Sequence, residues 1–299
     1  MELSRDAISV IVEEGIARIT LDAPQRLNAV DPPMLAAFHF VLDTLDRDPL
    51  VRVIAVAGAG RGFCAGADIG SGDVGRAGPG PGLQSGTDED EQEHPDGPDM
   101  SGTGSPLDGT LFGLGKVIRR MAQARTPIVA LVDGVAAGAG VSVALACDYI
   151  LASEAASFVL AFAKIGLMPD GGATALVAAN IGRARAMRLA LTGERLDAAT
   201  AERWGLVSEL VSVEQFEARA QKLLYFLAAG APAAMAATRQ AINAATLDIE
   251  ATLTREEQDQ SALLRTDDFA EGVTAFRERR PARFASARPL ASPFPAATT

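Results

Sequence analysis

Thr126-Pro127-Ile128-Val129-Ala130-Leu131-Val132-Asp133-Gly134-Val135-Ala136-Ala137-Gly138-Ala139-Gly140 is the stretch on which the reading of this chain turns. A run of apolar, largely β-branched residues bounded by Pro127 and Asp133-Gly134 has the length and punctuation of a buried strand. The run then passes into Gly138-Ala139-Gly140, and a helix is expected from there through Cys147. A second stretch repeats the design: Val51–Ala57 reads as a buried strand and leads into Gly60-Arg61-Gly62-Phe63-Cys64-Ala65-Gly66-Ala67-Asp68-Ile69. Asp148–Ala152 is a further strand. Strand, glycine turn and helix in succession predict an α/β core of stacked β-β-α turns.

Working outward, Ile8–Val12 and Ile16–Leu21 pair around the turn Glu14-Gly15. Pro24–Ala29 is a loop, and Asp31-Pro32-Pro33 carries the signals of a helix start, with that helix running to about Asp46. From residue 71 to 106 glycine, proline and acids dominate, including Asp88-Glu89-Asp90-Glu91, and no apolar period survives. Such an insert buries too little surface to offset ordering entropy, so disorder is expected there. A helix resumes near Leu111 and ends near Arg125. Phe158–Gly172 reads mostly as loop, followed by helices over Thr174–Gly182, Arg183–Leu191 and Asp197–Trp204 and a last strand over Gly205–Val211. Residues from Val213 to about Arg280 are helical. The expected division is a core over 1–211 that holds the insert, a helical region over 212–285 and a loose tail over 286–299.

Composition narrows the partners. The chain has 299 residues, 48% of them hydrophobic, which is enough for a sizeable core. Its net charge of −11 argues against nucleic acid, whose phosphates need a basic surface. Ile128–Ala152 is apolar, but Asp133, Asp148 and its glycines argue against a membrane span. Cys64 and Cys147 lack metal-ligand or disulfide spacing and are expected as buried thiols in a reducing cytoplasm. The N-terminus has no signal-peptide pattern.

The two glycine turns suggest chemistry. Small residues let a ligand approach backbone N–H groups, and the second turn opens a helix whose free amides favour negative charge. Two converging donors would make an oxyanion hole; two ordinary tight turns are the alternative reading.

Gly62-Phe63-Cys64-Ala65-Gly66-Ala67-Asp68-Ile69 resembles the first signature of the crotonase superfamily, the enoyl-CoA hydratase/isomerase group. Pro127–Ala130 through Gly138-Ala139-Gly140 and Cys147-Asp148 resembles the second. Ile165-Gly166-Leu167-Met168-Pro169-Asp170-Gly171-Gly172-Ala173-Thr174 resembles the third. Leu191–Glu194, Ala201–Val207 and Thr266–Phe276 extend the likeness over nearly all of the chain outside the insert and tail.

The resemblance implies a crotonase-like spiral of ββα units with a helical C-terminal trimerisation region, assembled as a trimer or dimer of trimers. It implies an acyl-CoA thioester as substrate, with coenzyme A as part of that substrate and no metal or other cofactor. It places Ala67 and Ala139 at the oxyanion positions. Arg26, Leu27, Ala29, Ala65, Asp68, Ile69, Gly138, Ser142 and Phe162 fall on substrate-binding positions. The two glutamates that handle water in familiar enoyl-CoA hydratases fall on Ser142 and Phe162, neither of which is a carboxylate.

Asp170 is the remaining acid. It is read either as a base for a proton shift or as an N-cap for the helix that follows. Arg26 is either a contact for the coenzyme A pyrophosphate or adenine or a solvated arginine. Arg277, Arg279, Arg280 and Arg283 are either a phosphate contact or a charged helix face. His39 and His94 are the chain's two histidines, which leaves little basis for a Ser-His-Asp device on Ser142. The favoured function is isomerase-type proton transfer by Asp170. An atypical hydratase with water held by Ser142 and Asp170, and a non-catalytic acyl-CoA binder, are the alternatives.

Overall fold

The computed structural model describes residues 2–69 and 106–285. The acidic insert, His94 and the tail from 286 lie outside the described residues.

The strands are β1 (Glu2–Arg5), β2 (Ile8–Glu13), β3 (Ile16–Leu21), β4 (Val53–Gly58), β5 (Gly62–Cys64), β6 (Ile128–Val132), β7 (Val135–Ala137), β8 (Tyr149–Ser153), β9 (Ser157–Val159), β10 (Arg195–Asp197) and β11 (Glu209–Val211). The helices are α1 (Pro32–Arg47), α2 (Pro106–Gln123), α3 (Ala139–Leu145), α4 (Ala173–Ile181), α5 (Arg183–Thr192), α6 (Ala198–Trp204), α7 (Phe216–Ala228), α8 (Pro232–Thr246), α9 (Ile249–Leu263) and α10 (Asp267–Arg277).

Two sheets result. One runs β1-β2-β3-β4-β6-β8-β11 and the other β10-β9-β7-β5. After the antiparallel β1-β2-β3 meander, pairing in the large sheet is parallel. Each core unit gives a long strand to the first sheet and, a few residues later, a three-residue strand to the second: β4 then β5, β6 then β7, β8 then β9. These are the turns of a spiral. The short strands fall within segments the sequence presents as turns or loop, because three residues are too few to show an alternation. Glu2–Arg5 is likewise a strand without a sequence signal, and the last strand is confined to Glu209–Val211.

Burial follows the apolar runs. Ile128–Val132 is buried throughout, as expected for a central parallel strand covered on both faces. Helix α1 starts where Asp31 accepts a hydrogen bond from the Met34 N–H at 2.9 Å, and it packs Met34, Leu35, Phe38, Val41, Leu42 and Leu45 inward. The apolar stretch Ile128–Ala152 is β6, β7, α3 and most of β8, and among the described residues no helix is long and apolar enough to cross a membrane. Cys64 and Cys147 are buried and free, with burial pushing the Cys64 thiol up to about 11.

Helix α8 is attached to this core in an unusual way. Its one buried residue is Arg239, which pairs with Asp148 at 2.6 Å and donates to the carbonyls of Met121, Ala122 and Ala124.

Candidate active site

The two glycine turns lie against each other. A Cβ added to Gly66 would stand 3.6 Å from the Ala139 nitrogen, and one on Gly140 would overlap the Cys64 carbonyl oxygen at 2.3 Å. Gly140 is therefore required by space. Gly138 is required by conformation: at φ 51°, ψ −123° it occupies a region closed to L-residues, while an added Cβ there would meet only ordinary contacts at 3.7 Å. Gly138→Ala is expected to lower the unfolding free energy by about 1–3 kcal/mol, measured by urea denaturation.

Local pairing sets the direction of both amides. Val30 donates to the Gly66 carbonyl at 2.8 Å and accepts from the Asp68 N–H at 2.9 Å. In a parallel bridge of this kind the intervening residue, Ala67, turns its own N–H to the opposite side. Ala139 is the first residue of α3, so its N–H has no acceptor within the helix. Both residues line one cavity of about 750 Å³, within the range of small-molecule sites.

The loop Pro24–Ala29 forms another wall of that cavity. Buried Asn28 holds it: its side-chain oxygen accepts from the Ala23 N–H, and its amide nitrogen donates to the carbonyls of Ala59 and Gly62. The Ala65 N–H reaches back to the Leu27 carbonyl at 2.9 Å. Arg26, Leu27, Ala29, Ala65, Ala67, Asp68, Ile69, Gly138, Ala139, Phe162 and Asp170 thus come together on one cavity lining.

Arg26 is no freely solvated arginine. It bridges Asp31 at 2.6 Å and Asp68 at 2.9 Å. Within the C-terminal arginine cluster, Arg279 lines the cavity and Arg277 donates to the Ile69 carbonyl at 3.4 Å, whereas Arg280 is bound by Glu271 and Glu278.

Ser142 departs from the sequence reading. It is fully buried and lies behind the cavity wall, with its hydroxyl donated to the Asp170 carbonyl oxygen at 2.7 Å. It steadies the main chain of Asp170 and does not face the cavity, so the reading in which Ser142 and Asp170 share a water loses one of its two groups. Phe162 supplies an apolar wall.

Asp170 does not cap α4. That helix starts at Ala173, and its N-cap residue, Gly172, offers no side chain to cap it. Its first amides are met from α9 instead: Glu256 accepts from the Gly172 N–H at 2.6 Å, the Thr174 N–H at 2.9 Å and the Thr174 hydroxyl at 2.5 Å. The Asp170 carboxyl is thereby left to the cavity. One oxygen, Oδ2, accepts from Gln260 at 2.9 Å, and the other, Oδ1, is buried with no hydrogen-bond partner among the described residues. Burial, opposed by the Gln260 bond and reinforced by the charge of Glu256, pushes this carboxyl up to about 7. A carboxyl titrating near neutrality in an apolar cavity is suited to accepting and returning a proton.

Gln260 and Glu256 were not found by sequence reasoning. They stand one turn apart on α9, and a Glu-to-Gln pair at that spacing reads as an exposed polar stripe. A second cleft of about 550 Å³ lies beneath α8, but its charged groups, Arg239 and Asp148, are paired with each other, so the larger cavity is the candidate site. Among the described residues no cluster of three or more His, Cys, Asp or Glu side chains is placed to hold a metal ion.

Comparison with known proteins identifies the family. The family model described as enoyl-CoA hydratase/isomerase matches residues 105–287, and a second model of the same description matches residues 16–74. The 1,2-epoxyphenylacetyl-CoA isomerase of Escherichia coli is 38% identical over 276 residues, covering 91% of this chain and 96% of that protein. A probable enoyl-CoA hydratase of Rhodobacter capsulatus is 35% identical, covering 94% and 99%. The crystal structure of an enoyl-CoA hydratase from Mycobacterium avium subsp. paratuberculosis superposes with a TM-score of 0.80 at 40% identity, covering 95% of this chain and all of that one. With the spiral of ββα units in place and the family model matching well over half of its length, the chain belongs to the enoyl-CoA hydratase/isomerase family and has the crotonase fold.

Proposed function

We propose that this chain is an acyl-CoA isomerase in which Asp170 moves a proton between two carbons of the bound acyl group. The thioester carbonyl oxygen lies between the N–H groups of Ala67 and Ala139. The Asp170 carboxylate takes a proton from the carbon next to the thioester. The C–H electron pair moves into an enolate whose oxygen the two amides stabilise, and the new O–H bond then breaks to return the proton to another carbon of the same chain. Each such amide is worth about 2.7–4 kcal/mol of barrier in comparable sites.

The observation that carries this reading is the state of the cavity carboxyls. Of the two in the lining, Asp68 is paired with Arg26 at 2.9 Å, while Asp170 has an oxygen without a hydrogen-bond partner among the described residues and is pushed up to about 7 by burial. A single usable carboxyl suits a shuttle that removes and returns one proton. Hydration handled by the two family glutamates lacks both of them, because Ser142 and Phe162 occupy those positions. The similarity to a relative named as an isomerase supports the same choice. The apolar lining, including Leu107, Leu111, Leu114, Phe162 and Leu264, fits a hydrocarbon or aromatic acyl group.

A panel of acyl-CoA thioesters assayed in parallel for double-bond movement and for hydration tests this. Isomerisation of a 3-enoyl-CoA is expected to exceed crotonyl-CoA hydration by roughly 100-fold or more in kcat/KM. Faster hydration would overturn the isomerase reading. Binding of every thioester with no turnover of any would favour a non-catalytic binder.

A further inference from the structure

Gln260 is a buried residue of α9, only 2% exposed, and every polar atom of its amide is engaged. Its Oε1 accepts from the Met168 N–H at 3.1 Å, and its Nε2 donates to the Met168 carbonyl at 2.9 Å. Those two bonds fix which end of the amide is which. A flipped amide would set Oε1 against a carbonyl oxygen and Nε2 against an N–H, losing both. With the orientation imposed by Met168, the remaining Nε2 hydrogen meets Asp170 Oδ2 at 2.9 Å.

We infer that Gln260 is a positioning residue that makes the two oxygens of Asp170 unequal, reserving Oδ2 as a permanent acceptor and leaving Oδ1 as the oxygen that takes and returns the proton. The inference rests on Asp170 being the proton carrier proposed above. Its logic is that of donors and acceptors. Oδ2 receives an N–H that cannot turn into an acceptor, so a proton on the carboxyl sits on Oδ1. Oδ1 has no hydrogen-bond partner among the described residues, so nothing there competes for that proton.

The neutrality of Gln260 matters too. A lysine or arginine at this place would favour the carboxylate too strongly for it to take the proton from carbon, and a hydrocarbon would leave Oδ2 buried and unpaired. The charged group that bears on Asp170 is Glu256, one turn earlier on α9, and its carboxylate is engaged with Gly172 and Thr174. The side chains nearest Gly171 and Gly172 are neutral: Leu114 and Ile118 of α2, Ser142 of α3, Leu176 of α4 and Ile249 of α9. An uncharged donor among neutral neighbours keeps the carboxyl oriented while leaving it free to cycle between its two forms.

Full-length Gln260→Met, which keeps length and bulk but has no donor, tests this beside Asp170→Asn, with kcat and KM followed from about pH 5 to about pH 9. In the wild type the rise of kcat/KM with pH should centre near the value of about 7 set for Asp170. Gln260→Met is expected to lower kcat by roughly 10- to 100-fold with KM changed by less than about threefold. It should also move the rising limb to higher pH by about one unit, because the lost N–H favoured the charged carboxylate. Gln260→Glu, nearly isosteric, carries the same test if the methionine variant does not fold; the added acid beside Asp170 should displace the limb upward as well. Loss of turnover in Asp170→Asn with an unmoved limb in the Gln260 variants would overturn the positioning role and leave the isomerase reading standing. Unchanged turnover in Asp170→Asn would remove the isomerase mechanism and this inference together.

Discussion

Asp170→Asn is expected to lower kcat by roughly 10²–10⁴-fold on the preferred acyl-CoA, while raising stability at neutral and alkaline pH. The asparagine carbonyl can take the place of Oδ2 against the Gln260 N–H, and Ser142 still holds the main-chain carbonyl, so the loop keeps its course. What is lost is the group that exchanges a proton. What is gained follows from linkage. The carboxyl titrates at about 7 in the fold against 3.8 when exposed, so the folded state binds the proton more tightly than the unfolded one. The penalty for burying the charge is absent below about pH 4, grows as pH rises towards 7 and is constant above it. Relative to wild type, the variant should gain ~2–4 kcal/mol at pH 8 and almost nothing at pH 4, read from thermal or urea unfolding at both values. A variant that is inactive and less stable at pH 8 would mean that the carboxyl serves the fold and not the reaction.

Arg239→Leu should cost about 2–4 kcal/mol in urea unfolding, less than a fully buried pair would, because Asp148 is part-exposed. Breaking this pair leaves the part-exposed Asp148 carboxylate with the Ile128 N–H at 2.8 Å as its remaining donor, and strips the buried guanidinium from the carbonyls of Met121, Ala122 and Ala124. Burial already holds Asp148 above the usual carboxylate range even with Arg239 opposing, so loss of the arginine drives it further towards the protonated form. Since Arg239 is the one buried residue of α8, that helix should undock first, visible as hydrogen exchange over Pro232–Thr246 well before global unfolding. Adding Asp148→Asn to Arg239→Leu should recover part of the loss, because the uncompensated charge is then gone. Additive losses in the double variant would sink this account.

Much of the fold is legible in the sequence because its long strands are continuous apolar runs with glycine or Asp-Gly at their ends. Ile128–Val132 and Val53–Gly58 cannot be placed elsewhere than in a covered sheet. The glycine turns at Gly66 and Gly138 are legible for the same reason, since few backbones need glycine twice in one short segment. Asp170 stands out as the acid left over once Ser142 and Phe162 fill the other carboxylate positions. The short strands of the second sheet are illegible because their pairing is decided between segments. Gln260 and Glu256 are hidden by chemistry: a polar residue on a helix looks solvated until the partner that buries it is known. Ser142 reads as a cavity residue in the sequence for a related reason. Its hydroxyl fits either side of the wall, and only the position of the Asp170 carbonyl decides which.

The grip of α9 on the loop 168–174 has a consequence for the order in which this protein comes into being. The bonds that seat Asp170 and the start of α4 join residues 82 to 92 positions apart in the chain. The α9 partners in these bonds lie after every strand and both glycine turns in the chain. A growing chain therefore acquires its sheets and its pair of glycine turns first, and seats its acid only once the last quarter has been synthesised and docked. Chemistry arrives last, and a chain cut short before Ile249 would have most of the architecture and none of the clasp that completes the site.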